Sequence, residues 1–148
     1  MNLNKWIVIA AALLANTAVP QQTPPTSVTA APAMSAEVYV IAPKDGARVH
    51  SPVTVRFGLK GAGIAPAGVK FDNTGHHHLL VDTDLSSLKL DAPLPASDKI
   101  LHFGKGQTET ELKLEPGKHT LQLLFADYAH TPFSPVVSSK KITINVVK

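Results

Sequence analysis

The chain has 148 residues, of which 44% are hydrophobic, and this is enough for one domain with a packed core. It contains no cysteine, which excludes disulfides, thiolate metal sites and cysteine nucleophiles. The formal charge is only +3 and the sequence shows no stripe of lysine and arginine, so we expect no nucleic-acid partner.

The N-terminal segment has the pattern of a secretory signal. Lys5 precedes ten apolar residues, 6–15. Ten helical residues span about 15 Å, roughly half of a bilayer core, which argues against a permanent membrane helix. We therefore predict a signal peptide over residues 1–18, a periplasmic location and no membrane span after cleavage.

Residues 19–36 (VPQQTPPTSVTAAPAMSA) are rich in proline, threonine and alanine. Proline lacks a backbone donor and this composition offers no core, so we predict a disordered linker. A folded domain is expected over residues 37–148.

Short alternating segments separated by turns predict strands throughout this domain. The predicted strands are Val38–Ala42, Val53–Leu59, His76–Thr83, Ile100–Phe103, Thr108–Leu114, His119–Phe125 and Lys141–Val147. Residues 84–99 form a long irregular connection. About seven strands with no helical stripe predict an all-β antiparallel sandwich, immunoglobulin-like in type.

The segment GHHHLLVDTD, residues 75–84, carries three consecutive histidines. Neighbouring strand residues point to opposite faces, so His76 and His78 share one face with Leu80 and Asp82, and His77 lies on the other. Leu79 and Val81 indicate that the His77 face meets the core. His76 and His78 are then expected to face solvent or adjoining loops.

Two imidazoles at positions i and i+2 lie about 7 Å apart and can share a metal ion. His102 and His130 are the candidates for further ligands, and His119 is another histidine that could lie at a sheet end. A ligand set of His76, His78, His102 and His130 suits Cu(II) or Zn(II). The alternatives are histidines that hydrogen-bond to loop backbone and a face that senses pH.

The loop HFGKGQTE, residues 102–109, could hold an anion through its backbone N–H groups and Lys105. A hairpin turn with positive φ at Gly104 and Gly106 is the simpler interpretation. No Gly-x-Ser-x-Gly elbow is present, and we expect no enzymatic activity.

Four motifs together resemble the bacterial exported domain-of-unknown-function family 4399, over about residues 37–148. They are PVTVRFGLKGAGIAPAG, GHHHLLVD, LHFGKGQTET and PGKHTLQLLFAD. The family has no activity that could be carried over, so the resemblance implies an exported domain and leaves its function open.

One loop departs from the family pattern, which reads Gly-Asp-x-x-His-x-Pro-His followed by Pro-Pro. Here His130 and Asp127 match, Ala126 replaces the glycine and Phe133 replaces the second histidine. If the family uses this loop to hold a metal, this chain has lost one donor. Asp127 could orient a metal-binding imidazole by a hydrogen bond to it, without binding the metal itself.

Two functions remain open at this point. The first is a periplasmic binding module for a metal ion or small ligand, which requires three or more imidazoles to converge. The second is a non-catalytic cell-envelope module whose linker tethers it and whose apolar patch or sheet edge meets a partner protein.

Overall fold

The computed structural model describes residues 35–148, so the predicted signal peptide and nearly all of the predicted linker lie outside the described residues. The described residues form nine strands and one turn of 3₁₀ helix, Leu85–Ser87. The strands are β1 Glu37–Ala42, β2 Arg48–His50, β3 Val53–Lys60, β4 Gly63–Ile64, β5 Thr74–Val81, β6 Ile100–His102, β7 Glu109–Leu112, β8 Gly117–Ala126 and β9 Ile142–Val147. Within this range, no helix is long and apolar enough to cross a membrane.

The strands form two sheets, and the predicted all-β class is confirmed. One sheet has the antiparallel order β1-β3-β7, and the other has the order β2-β9-β8-β5-β4 with β6 also paired to β5. Only the short pairs β2–β9 and β4–β5 are parallel. All seven predicted strands are present with slightly shifted ends. The sequence pattern missed β2 and β4, because strands of three and two residues are too short to show an alternation.

The core lies between the two sheets and takes its side chains from both of them. In β3, the alternate residues Val53, Val55 and Phe57 are buried and belong to the same apolar cluster as Leu79 of β5 and Leu123 of β8. Full burial of one such side chain stabilises the fold by about 1.5–3 kcal/mol. The sandwich arrangement therefore rests on the period-2 pattern that the sequence displays.

The opposite face of the larger sheet has an apolar layer of its own. Leu124 and Ala126 of β8 pack with Leu94, and Leu85, Leu88 and Leu90 pack around them. All of these leucines except Leu124 belong to the irregular segment 84–99, which covers this face of the sheet. As a result, every residue from Gly75 to Val81 in β5 is buried.

This cover corrects the expected orientation of β5 in one respect. The His77 face does meet the core, as predicted. However, His76 and His78 are 0% and 1% exposed, so their face does not meet solvent. Leu80, on the same face, is also buried at 1% exposure.

Candidate metal centre

Three histidines from three separate segments converge at one end of β5. His76 lies in β5, His102 ends β6, and His130 lies in the loop between β8 and β9. Each offers one ring nitrogen, and these three atoms lie within 4.8 Å of one another. His76 is buried, His130 is half-buried and His102 is exposed, so the group runs from the interior to the surface.

Strand register places two of these residues. His78 of β5 lies opposite His102 of β6, and His76 lies opposite Ala126 of β8. Directly opposed residues of an antiparallel pair point to the same face, so His76, His78 and His102 share the outer face of the sheet. The small side chain of Ala126 leaves room beside the His76 ring.

Gly104 leaves room for the third imidazole. A Cβ atom at this position would lie 2.2 Å from Cε1 and 2.4 Å from Nε2 of His102. Because real Cβ atoms do not approach so closely, any larger residue at position 104 would move the His102 ring.

A tight loop presents His130. Asp127 Oδ1 accepts hydrogen bonds from the backbone N–H groups of Ala129 (2.8 Å) and Thr131 (2.9 Å), and His130 N–H donates to the Asp127 carbonyl (3.0 Å). His130 itself has a φ of +68°, a left-handed conformation that is uncommon for a residue with a side chain. Asp127 was predicted to orient an imidazole, and in the structure it holds the backbone of the loop that carries one.

His78, the fourth predicted ligand, lies beside the group of three. Its ring centroid is 4.9 Å from that of His76, 5.1 Å from that of His102 and 6.1 Å from that of His130. The planes of the His78 and His102 rings are inclined by 31° to each other. The converging ring nitrogens belong to the other three histidines.

Burial keeps the inner imidazoles neutral at neutral pH. Burial lowers the pKa of His76 to about 4, the charges of His102 and His130 lower it as well, and Asp127 opposes them. The pKa of His78 falls to about 3, mainly through burial and then through the neighbouring histidines. The pKa of His102 is also lowered, by burial and by His130. Neutral imidazole is the form that binds a metal ion.

The remaining histidines of the described range stand outside this group. His77 packs in the core against Phe57 and Phe125, with ring centroids 5.3 and 5.5 Å away. His119 uses both ring nitrogens elsewhere, since Nδ1 lies 2.7 Å from Asp82 Oδ2 and Nε2 lies 2.9 Å from the Glu115 carbonyl. His50 is exposed at the end of β2. His119 and Asp82, a residue expected on the His76 face, therefore form a clip apart from the candidate site.

Two sequence expectations about loops need revision. Gly106 has the expected positive φ of +84°, but Gly104 is not among the glycines with positive φ, and its requirement is the space for His102. The loop is no simple hairpin either, because β6 and β7 belong to different sheets. Phe133, which stands where the family has a histidine, stacks on the core residue Phe125 at 5.7 Å and does not join the group of three.

Comparison with known proteins gives a family and little else. The comparison with curated protein sequences gave no match. Among solved structures, the endo-beta-1,4-mannanase from Thermotoga petrophila is similar at 20% sequence identity with a TM-score of 0.43. That similarity covers 76% of this chain and 20% of the mannanase chain, and it says nothing about activity. The model of the family described as "Domain of unknown function (DUF4399)" matches residues 55–147, more than half of the chain, and the chain therefore belongs to this family.

Proposed function

We propose that this domain binds one Cu(II) or Zn(II) ion through His76, His102 and His130. The observation that carries the proposal is the convergence of their ring nitrogens to within 4.8 Å of one another. The three histidines are far apart in sequence. The sheet register places His76, the space at Gly104 admits the His102 ring, and the loop held by Asp127 presents His130. Such convergence is expected of a binding site and has no simple origin in packing alone.

The unpaired ring nitrogens of His76 argue against a hydrogen-bonded role for this histidine. Both Nδ1 and Nε2 of His76 are buried and have no hydrogen-bond partner among residues 35–148. A buried polar atom without a partner costs about 1–3 kcal/mol, and coordination of a metal ion would offset this cost for one of the two. The alternative of histidines that hold loop backbone therefore does not suit His76.

The choice of metal follows from the donors. Neutral imidazole suits copper and zinc, whereas Mg²⁺ and Ca²⁺ prefer oxygen ligands. The chain has no cysteine, and its two methionines, Met1 and Met34, lie outside the described residues. The soft thiolate ligands that favour Cu(I) are thus missing from the sequence, and an imidazole set favours the divalent ions.

The cellular setting of the proposal comes from the N-terminal sequence. The basic and apolar residues 5–15 support export, and the proline-rich residues after them support a tether in the cell envelope. We propose a periplasmic, non-catalytic metal-binding module. The closest alternative is a module that meets an envelope protein.

One observation favours that alternative in part. Phe71 is 73% exposed, Val69 is 50% exposed and Tyr128 is 39% exposed. The Gly68 N–H donates to the Tyr128 carbonyl at 2.9 Å, which brings the two exposed segments together. Converging histidines, however, are what a binding module requires and what an interaction module does not, so metal binding is the function that the geometry supports best.

Calorimetric titration of the untagged protein with Cu(II) and with Zn(II) at neutral pH tests the proposal. We expect one metal ion per chain. The variant His130→Asn should weaken binding more than about 100-fold, because it removes a donor while asparagine tolerates the positive φ of this position. The matched control is His50→Asn, which changes an exposed histidine outside the site and should bind as the original chain does. Equal binding by the two variants would refute the site, and no binding at all would refute the function.

A further inference from the structure

We infer that a metal ion in this site keeps an open coordination position on its solvent side, and that a small anionic donor from outside the protein fills it. This inference rests on the proposed function and deepens it. The ligand class is a small anion with an oxygen or nitrogen donor, such as a carboxylate, bicarbonate or a hydroxide derived from water.

The number of donors is the first argument. Among the histidines and acidic residues of the described range, only His76, His102 and His130 form a converging group. Copper and zinc ions in proteins take at least four ligands in most sites, and three protein donors with a fourth external ligand is the pattern of sites that keep a position open. His78 is only 1% exposed and is not a member of this converging group.

The direction of the opening is the second argument. His76 is buried beneath the sheet cover, whereas His102 is exposed and His130 is half-buried. An external molecule can thus approach from the side of His102 and His130. Gly104 leaves this approach free of side-chain atoms, because it contributes only backbone atoms next to the His102 ring.

Charge is the third argument. Three neutral imidazoles supply no negative charge to a divalent ion, and the Asp127 carboxylate, whose charge acts on His76, offsets at most one of its two positive charges. The charge that is left attracts anions. Asp127 Oδ1 already accepts two backbone N–H groups and is not among the converging donors. Lys70 Nζ lies 5.6 Å from the centre of the Tyr128 ring, so it places a positive charge near the loop that carries His130.

The experiment uses the full chain loaded with one equivalent of Cu(II) and titrated with azide, an anion that gives a charge-transfer absorption band when it binds copper. We expect a new band that saturates at one azide per copper, with the copper retained by the protein on filtration. Electron paramagnetic resonance before azide is added should show coupling to three imidazole nitrogens. Lys70→Gln should lower the azide affinity about threefold, the effect of removing one screened surface charge.

The outcomes separate this inference from the proposed function. If copper binds with four coupled nitrogens and azide changes nothing, the inference is wrong and His78 closes the site. Azide binding that appears only in a His78→Ala variant leads to the same conclusion. Release of copper by azide would also overturn the inference, because azide would then not occupy an open position on copper that the protein holds. If copper does not bind at all, the proposed function itself fails. Competition by acetate or bicarbonate at constant pH would identify a carboxylate-type ligand, and weakening of azide binding only as the pH rises would identify hydroxide.

Discussion

The two faces of β5 place the same kind of side chain in opposite surroundings. His77 lies in the sandwich core among phenylalanines, whereas His76, one residue earlier, lies among three other histidines. Both residues are almost fully buried, and both have two ring nitrogens without a hydrogen-bond partner among the described residues. Burial and missing partners therefore do not distinguish a metal ligand from a core histidine, and only the convergence of donors from other segments does so.

Acid should destabilise the metal-free protein through both faces alike, and this is the largest effect we expect. Burial lowers the pKa of His77 to about 4, whereas an unfolded histidine titrates near 6.5. Between these two pH values the unfolded chain binds a proton at His77 that the native chain does not bind. The free energy of unfolding therefore falls as the pH drops from about 6.5 towards 4. For His77 alone the loss approaches about 3 kcal/mol. Urea unfolding at several pH values measures it.

The variant His77→Leu is the control for this effect. It should remove about 3 kcal/mol of the pH dependence between neutral pH and pH about 4, and it should stabilise the protein at neutral pH by about 1 kcal/mol because two unpaired polar atoms leave the core. An unchanged pH dependence would show that His77 does not resist protonation in the core.

Metal affinity should separate the two faces. His76→Leu removes a proposed ligand and should weaken Zn(II) binding more than about 100-fold, or about 2.7 kcal/mol. His77→Leu makes the same chemical change one residue away, on the core face, and should leave Zn(II) affinity within about twofold. Calorimetric titration compares the two variants, and similar losses in both would contradict the assignment of the faces.

Substitution of Gly104 and Gly106 should change metal affinity or stability less than loss of a histidine ligand does. Gly104→Ala places a methyl group against the His102 ring and should weaken metal binding about tenfold by misplacing one donor. Gly106→Ala imposes strain instead, because Gly106 has a φ of +84°, and should cost about 1–2 kcal/mol of stability with metal affinity unchanged. Thermal unfolding and metal titration of both variants test this contrast, which would be lost if Gly106→Ala weakened metal binding as much as Gly104→Ala.

The smallest effect on stability concerns the contact between Asp82 and His119, which lies apart from the candidate site. Burial lowers the pKa of His119, but hydrogen bonds to Asp82 and Glu115 and their charges outweigh it, so the pKa is raised overall. The clip therefore stabilises the protein below pH about 6.5 and loses this effect as the pH rises through the native pKa. Asparagine tolerates the φ of +49° at position 82, so Asp82→Asn should lower the free energy of unfolding by less than about 1 kcal/mol at pH 6. A nuclear magnetic resonance titration of His119 should show its pKa fall, and a pKa that stays raised would assign the shift to Glu115.

Much of the fold could be predicted because a strand's alternation is written in adjacent residues. Val53, Val55 and Phe57 show their common face directly, and so do Leu121, Leu123 and Phe125. The candidate histidines could also be named, since His76 and His78 share a face in any strand. The cover over that face could not be predicted, because the leucines of residues 84–99 follow no strand or helix period.

The sequence by itself determined the all-β class, the pairing of His76 with His78 on one face and the absence of thiolate ligands. These properties depend on residue type and on the local geometry of a strand. Only the tertiary structure decided that His102 and His130 meet His76 and that both faces of β5 are buried. It also decided that His119 pairs with Asp82 and does not join the other histidines. Such contacts join residues tens of positions apart, and they depend on strand register and loop conformation, which local patterns do not specify.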